Sequence, residues 1–564
     1  LTARSLVKWL GAWLVVTLAA CAAVHRVFAL DVDASRPRAV IASVWSGGEL
    51  VAQEVLAHAG DHAARLDAAL GAHPGGTLVY ESVVGEGPVI TRPEAAFAMS
   101  FLTGRDGVSA TVGDRTAYVT PDELLNRQAY DRGVALPGLQ LAIGLDTAVA
   151  LALLAERLDM TVRDVVDRAT LRRIRVERVV SGVPPQAPVT AETLTDADVR
   201  AAAIAAGAYL ARGVDAQGRF RYLVDAPTNR TLGGYDWPRH AGATYFLAQA
   251  AVLSGDAAVG DATLRAAAYL RDRAMVRCGA YRCVGDGPLV DVGSAALTLL
   301  AFVEVARTHL DAKAAQVAGG FAYASIVPEL AAFLRAQQRA DGEFMHEYDR
   351  DRSQPVDVQL LYYSGEAALA LSRAHALLGD PRDLDAAMRA LSHLVGPAWS
   401  FFGSRYYWGE EHWTCQAMGD LWRRAPDRQA LHFCLDWQAF TRGLQYAQGD
   451  TLLDAEGAFG FGPVVTARLT PAGSRTEAAI ATLEAARLAG VAAAEIDALD
   501  RQIRRSLALL IRHQLRAGPS AHLFADPAAV AGAIPGSEVD WQLRIDYAQH
   551  AGSAMVRWLG RARP

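Results

Sequence analysis

What most constrains this chain is a unit that recurs six times beyond residue 197. Each unit is a Gly-rich loop carrying an aromatic, a polar or charged turn, and then an Ala/Leu-rich helix. The six read GRFRYLVDAPTNRTLGGYDWPRHAGATYFLAQAA, RCGAYRCVGDGPLVDVGSAALTLLAFVEV, DGEFMHEYDRDRSQPVDVQLLYYSGEAALALSRAH, SFFGSRYYWGEEHWTCQAMGDLW, GAFGFGPVVTARLTPAGSRTEAAIATLEAARLAG and SAHLFADPAAVAGAIPGSEVDWQLRIDYAQHAGSAMVRWL. Second helices run between them, such as DATLRAAAYLRDRAM, SIVPELAAFLRAQQR, PRDLDAAMRALSHLV and EIDALDRQIRRSLALLIRHQL. Six such pairs are what closes an α/α toroid. The Ala-rich helices suit an inner ring, where small side chains permit close approach, and the Arg-rich amphipathic ones suit an outer ring. Every inner helix then starts at the same rim, so the loops before them line one cleft.

This pattern resembles the six-hairpin (α/α)6 superfamily of glycoside hydrolases, polysaccharide lyases and sugar epimerases. The resemblance spans the repeats, residues 197–564, and rests on them rather than on a diagnostic motif. QQRADGEF is similar to the Q-x-x-D-G-x-[FW] turns of terpene-cyclase and prenyltransferase toroids, but no DxDD acid motif accompanies it.

Residues 30–180 read differently. VIASVWSGGELVAQEVL, GTLVYESVVG, VSATVGDRTAYVT and TLRRIRVERVV show β-branched alternation bounded by Gly and Asp, the mark of strands. LQLAIGLDTAVALALLAERL has the length and periodicity of a helix, and PDELLNRQAYDRG reads as a proline-started, acid-capped one. The fold expected is mainly α: a C-terminal (α/α)6 toroid over 197–564, preceded by a smaller α+β domain over 30–180. The proline-bearing stretch 181–196 links the two.

Residues 1–29 read as an export segment. Arg4 and Lys8 precede an uncharged run from Trp9 to Val24, short for a membrane span but suited to a signal-peptide core. Leu18-Ala19-Ala20-Cys21 resembles the lipobox of bacterial lipoproteins, which implies lipidation at Cys21 and a membrane anchor. Cleavage after Val27-Phe28-Ala29, or an uncleaved anchor, are the alternatives. With Cys21 set aside, Cys278, Cys283, Cys415 and Cys434 remain, an even number as disulfides require. RCGAYRC would bridge within one loop, and Cys415–Cys434 would bridge the two helices of a hairpin; four free thiols is the other reading.

A net charge of −6, with no long basic run, excludes nucleic acid as an expected partner. Hydrophobic residues at 52% supply a large core. No HExxH, Cys-x-x-Cys, Walker loop or GxSxG elbow appears, so no metal or cofactor is expected. DRDRSQPVD reads as a solvated loop.

The chemistry-bearing residues cluster at the proposed rim. They are Tyr235, Asp236, Trp237, Arg239 and His240 in the first unit, and Tyr363 and Glu366 in the third. Trp408, Glu411, His412 and Trp413 lie in the fourth, and Arg544, Asp546 and His550 in the sixth. The second unit offers only Asp286 and Asp291. Aromatic faces stack on sugar rings, and glycosidic cleavage needs a protonated acid opposite a second carboxylate. Glu366 and Glu411 are the expected acid/base pair, with Asp236 as a third candidate, and the remaining rim residues would bind a glycan. A lyase or uronate epimerase would use the same parts as base and charge neutraliser. A non-catalytic glycan-binding lipoprotein would use them without turnover. Against each stands a plainer role: Glu366 with Ser364 as a helix cap, Arg475 and Glu477 as a helix-start pair, and Asp546 with His550 as an i,i+4 pair.

Overall fold

The computed structural model describes residues 30, 32–35, 37–56, 62–136, 141–310, 321–397, 412–447, 453–460, 465–516 and 518–561. The segment around Cys21 and the loop carrying Trp408 and Glu411 lie outside the described residues. Among those described, no helix is long and apolar enough to cross a membrane.

The N-terminal part is built on an antiparallel six-stranded sheet. Its strands are β1 (Val40–Ser46), β2 (Glu49–Leu56), β3 (Thr77–Pro88), β4 (Asp106–Val112), β5 (Arg115–Val119) and, after a separate hairpin of β6 (Tyr130–Leu136) and β7 (Leu141–Leu145), β8 (Thr170–Val180). The sheet order is β2-β1-β3-β8-β4-β5. Five helices fill the connections: α1 (His62–Ala72), α2 (Glu94–Ala98), α3 (Pro121–Asn126), α4 (Thr147–Leu158) and α5 (Val162–Arg168). The run expected as one helix, LQLAIGLDTAVALALLAERL, is β7 followed by α4. Gly144 at φ +74° breaks it, and Asp146 caps α4 by accepting from the backbone N–H of Ala148 and Val149. The acids of α3 do more than cap: Glu123 forms a two-pronged ion pair with Arg157, and Asp122 holds Arg178 at 2.6 Å.

Twelve longer helices follow among the described residues. They are α6 (Asp196–Arg212), α7 (Trp237–Ser254), α8 (Ala257–Tyr269), α9 (Val292–Arg307), α10 (Val327–Gln337), α11 (Tyr363–Leu378), α12 (Pro381–Leu394), α13 (His412–Leu421), α14 (Arg428–Arg442), α15 (Leu469–Ala489), α16 (Ala493–His513) and α17 (Ile545–Gly560). The ring is visible in their packing. Inner helix α7 packs on α9, α9 on α11, α11 on α13, α13 on α15 and α15 on α17, and α17 returns to α7. The even-numbered helices lie outside, with polar residues on their outward faces. A short strand, Gln542–Arg544, pairs antiparallel with Leu223–Asp225 and so joins the last unit to the first.

The Asp-Gly-aromatic turn is a structural joint. In QQRADGEF, Gly342 has φ +95°, and a Cβ there would collide with the Arg389 carbonyl of α12. Gln338 and Phe344 bridge across the turn, and Gln338 donates to the Ala386 carbonyl at 2.8 Å. The same bridge recurs as Val214–Phe220 and Gln445–Phe459. DRDRSQPVD, expected as a solvated loop, is exposed over 351–355 and forms the tip of a hairpin: Glu347–Asp349 pairs with both Gln354–Val356 and Leu289–Asp291. Both disulfides form, Cys278–Cys283 within a two-stranded hairpin and Cys415–Cys434 between α13 and α14.

Sheet and toroid share one apolar core that runs from Trp45, Val108 and Leu124 to Phe246, Phe524 and Trp541. The stretch between them is pinned, since Arg504 donates to the carbonyls of Ala191 and Leu194, each at 2.9 Å.

Candidate active site at the helix N-termini

The site begins with capping. Asp236 precedes α7 and accepts from the Arg239 backbone N–H at 3.1 Å, while its other oxygen meets the Arg239 guanidinium. Asp291 caps α9 in the same way, accepting from the Ser294 N–H at 2.6 Å and the Ser294 hydroxyl at 2.8 Å. α11 breaks the pattern. Its capping residue is Tyr362, at φ +78°, and no side chain caps it. Ser364, the expected cap, instead donates to Glu343 and lies 2.7 Å from His346 Nε2. Glu366 is therefore released from capping.

Glu366 is 5% exposed, and its Oε2 is buried without a hydrogen-bond partner among the described residues. It fits because the facing residue on α9 is Gly293, where a Cβ would lie 2.7 Å from that oxygen. Burial first, then the nearby Asp291 and Asp236 carboxylates, push the Glu366 acid well above its ordinary range; Arg239 offsets only part of this. Burial also raises the Tyr363 phenol, which faces the same three acids. Asp236, Asp291, Tyr363 and Glu366 thus converge, Asp236 being the more open with a third of its side chain exposed.

Two further groups adjoin them. Arg239 reaches Asp546 at 3.4 Å, and Asp546 is gripped by both arms of Arg544 at 2.6 and 2.9 Å. This alternating chain of charge crosses the seam between the first and last units. Farther round, His412 and His550 have ring centroids 5.5 Å apart, with Trp413 5.8 Å from His550 and Tyr362 5.9 Å from His412. Nδ1 of His550 donates to Glu477 at 2.8 Å, and Ser553 donates to the other Glu477 oxygen. Burial works against a charged His550, yet the Glu477 carboxylate outweighs it and holds the imidazole above its ordinary value.

These contacts correct two expectations. Glu477 is not a helix-start residue: α15 begins at Leu469, so Glu477 lies mid-helix, while Arg475 stacks 4.9 Å over Phe459. Nor do Asp546 and His550 pair with each other; one binds arginines and the other Glu477. His240, expected to bind substrate, is fully buried. Its Nε2 donates to the Ala266 carbonyl at 3.0 Å, leaving Nδ1 to accept from the Tyr235 hydroxyl at 2.5 Å. Burial lowers it to about 4, so it is neutral and structural. Tyr235 and Trp237 join it in an aromatic cluster with Tyr269. Asp291, named among the rim residues of the second unit but given no role there, is the one whose charge acts most on Glu366.

The donor atoms of His412, Glu477 and His550 lie within 4.8 Å of one another. The His550–Glu477 hydrogen bond already uses one of these pairs.

No family model matches this chain, and no curated protein matches it. Several solved structures are similar. A D-mannose isomerase is 12% identical at a TM-score of 0.49, covering 65% of this chain and 97% of its own. A sugar epimerase from a ruminal bacterium is 11% identical at 0.48, covering 66% and 100%. The alpha-1,6-mannanase from Salegentibacter sp. HEL1_6 is 10% identical at 0.44, covering 64% and 98%. The toroid assignment stands on the helix packing itself.

Proposed function

We propose that the rim acts on a carbohydrate by acid–base catalysis, cleaving a glycosidic bond. The observation that carries this reading is Glu366: a buried carboxyl with an oxygen unpartnered among the described residues, its acid pushed well above the ordinary range by burial and by Asp291 and Asp236. A carboxylic acid kept neutral can protonate a leaving oxygen, while a second carboxylate opposite activates water or attacks carbon. Asp236 is the second group, since a third of its side chain is open to solvent. Glu411, the first-choice partner from the sequence, lies outside the described residues and remains a candidate for the same role. Arg239, Arg544 and Asp546 would hold hydroxyl or acidic groups of the sugar, while Trp413, at 4% exposure, packs in the core beneath them.

A second reading is favoured by one observation, the His412–His550 juxtaposition backed by Glu477. Two adjacent imidazoles beside a sugar carbon would pass its proton off and on, giving isomerisation or epimerisation. Product analysis on a panel of oligosaccharides and free sugars separates the two. Hydrolysis predicts new reducing ends, lost by about 10²–10⁴-fold in Glu366→Gln and strongly reduced in Asp236→Asn. Isomerisation predicts unchanged chain length, solvent deuterium in the product and loss in His550→Asn. Full activity in Glu366→Gln sinks the hydrolytic reading.

The two disulfides support work outside the cytoplasm, and the segment ending at Cys21 supports a lipid anchor there. The mass of the mature N-terminus, with or without acyl chains, tests that anchor.

A further inference from the structure

Tyr362 is unusual both in its backbone and in its exposure. Seven non-glycine residues among those described have positive φ. Six of them, Gln128, Asp131, Asp159, Asn229, His309 and Ser353, are polar and lie between +51° and +57°, the φ of the left-handed well. Tyr362 is the aromatic one. Its φ of +78° with ψ −38° leaves that well for the neighbourhood of the strained γ-turn. Glycine would adopt this conformation freely, whereas a β-carbon makes it costly.

The residues on either side force the turn. Before it, the Leu360 N–H donates to His346 Nδ1 at 2.7 Å. After it, Tyr363 packs against Gly293, where a Cβ would collide with its ring, and Ser364 donates to Glu343. The Tyr362 carbonyl itself accepts from the Glu366 N–H at 2.9 Å, which ties it to the first turn of α11. Two anchored stretches are thus joined through one residue, and that residue absorbs the change of direction.

Packing accounts for the backbone but not for the side chain. The tyrosine is 39% exposed, its ring 5.9 Å from that of His412 at an interplanar angle of 63°. The other described rim aromatics are more enclosed. Trp413 lies in the core, Tyr235 and Trp237 cluster with Tyr269, and Tyr363 and Tyr547 are half-buried. A single exposed aromatic is ordinary. One kept where glycine would fit better, a turn before Glu366 and against His412, is not. We infer that Tyr362 is a substrate-binding residue of the rim, whose ring stacks on the apolar face of a sugar unit. The inference rests on the carbohydrate reading above and supplies the apolar surface that the buried Trp413 does not. A ring with two torsions, presented from a fixed turn, loses little freedom when it binds.

Calorimetric titration tests it, with trisaccharides of glucose, mannose, galactose and xylose as probes. Glu366→Gln is the background, so that hydrolysis does not consume the probe. At least one probe is expected to bind. Adding Tyr362→Phe is expected to leave that affinity within about twofold, and adding Tyr362→Ala or Tyr362→Gly to weaken it about tenfold, the size of one aromatic stacking contact. Thermal melts of the same proteins report the strain separately. At an unstrained position glycine destabilises relative to alanine; here the glycine variant is expected to melt above the alanine one. Unchanged affinity in both the alanine and the glycine variant overturns the stacking role and leaves the carbohydrate reading standing. A glycine variant that melts below the alanine one removes the premise of strain, and the inference with it. Failure of every probe to bind overturns both readings.

Discussion

At the scale of single residues, Glu366 decides most. An acid near a helix N-terminus is ordinarily stabilised in its charged form. In this protein burial and two facing carboxylates win over the dipole and over Arg239, and the carboxyl titrates high. The sign of the consequence follows. A group whose folded pKa lies above its unfolded value contributes stability that is complete below the unfolded value, 4.5, and is lost as pH rises through the folded one. Glu366→Gln removes that dependence. Thermal melts from pH 4 to 8 should therefore show the variant gaining on the parent as pH rises. Equal separation at all pH values would place Glu366 in a different environment. None of this is legible in YYSGEAALALSR alone, because Glu366 is made unusual by Gly293 and Asp291, which come far earlier in the chain and meet it only through the neighbouring helix.

Helices and turns are more legible, and the failures have physical causes. The repeat is visible because each joint needs the same things: a glycine where α12 or its equivalent presses on the turn, and an aromatic to plug it. The start of α15 is hidden because Pro471 and Gly473 sit in its first two turns, and proline is tolerated there as it is not in a helix interior. That displacement makes Glu477 look like a capping residue and conceals its contact with His550. The cysteines are readable from spacing and context together. Their effect should scale with the loop each closes: about 3 kcal/mol for Cys415–Cys434, 19 residues apart, and about 2 kcal/mol for Cys278–Cys283, 5 apart. Urea unfolding of the paired Cys→Ala variants measures the difference, and an inverted order would contradict the loop-closure account.

For the whole molecule, both mouths of the ring are charged. Asp236, Asp291 and Glu366 lie with Arg239 where the inner helices begin, and Arg373 and Arg557 share Asp420 at 2.6 and 2.8 Å near the C-terminal mouth, where cations complement the helix dipoles. The sheet is not an appendage to this ring. Asn126 donates to the Leu523 carbonyl at 3.0 Å, Thr103 bonds Thr466 at 3.1 Å, and the apolar core is continuous across the junction. Calorimetry is expected to show one unfolding transition for the chain rather than two, and expression of the toroid without the sheet should give an aggregating product. Two well-separated transitions would mean the shared core contributes little. Composition distinguishes the strand-rich part of the sequence from the helical repeats but gives no access to this contact, since the residues that meet are remote in the chain.

The seam between the first and last units has a consequence for synthesis. Arg239 emerges early in the toroid and Asp546 near its end, yet the acid-lined mouth is complete only when they meet and Gln542–Arg544 has paired with Leu223–Asp225. A chain that stops short of Gln542 therefore lacks both the ion pair and the strand pairing that join its last unit to its first.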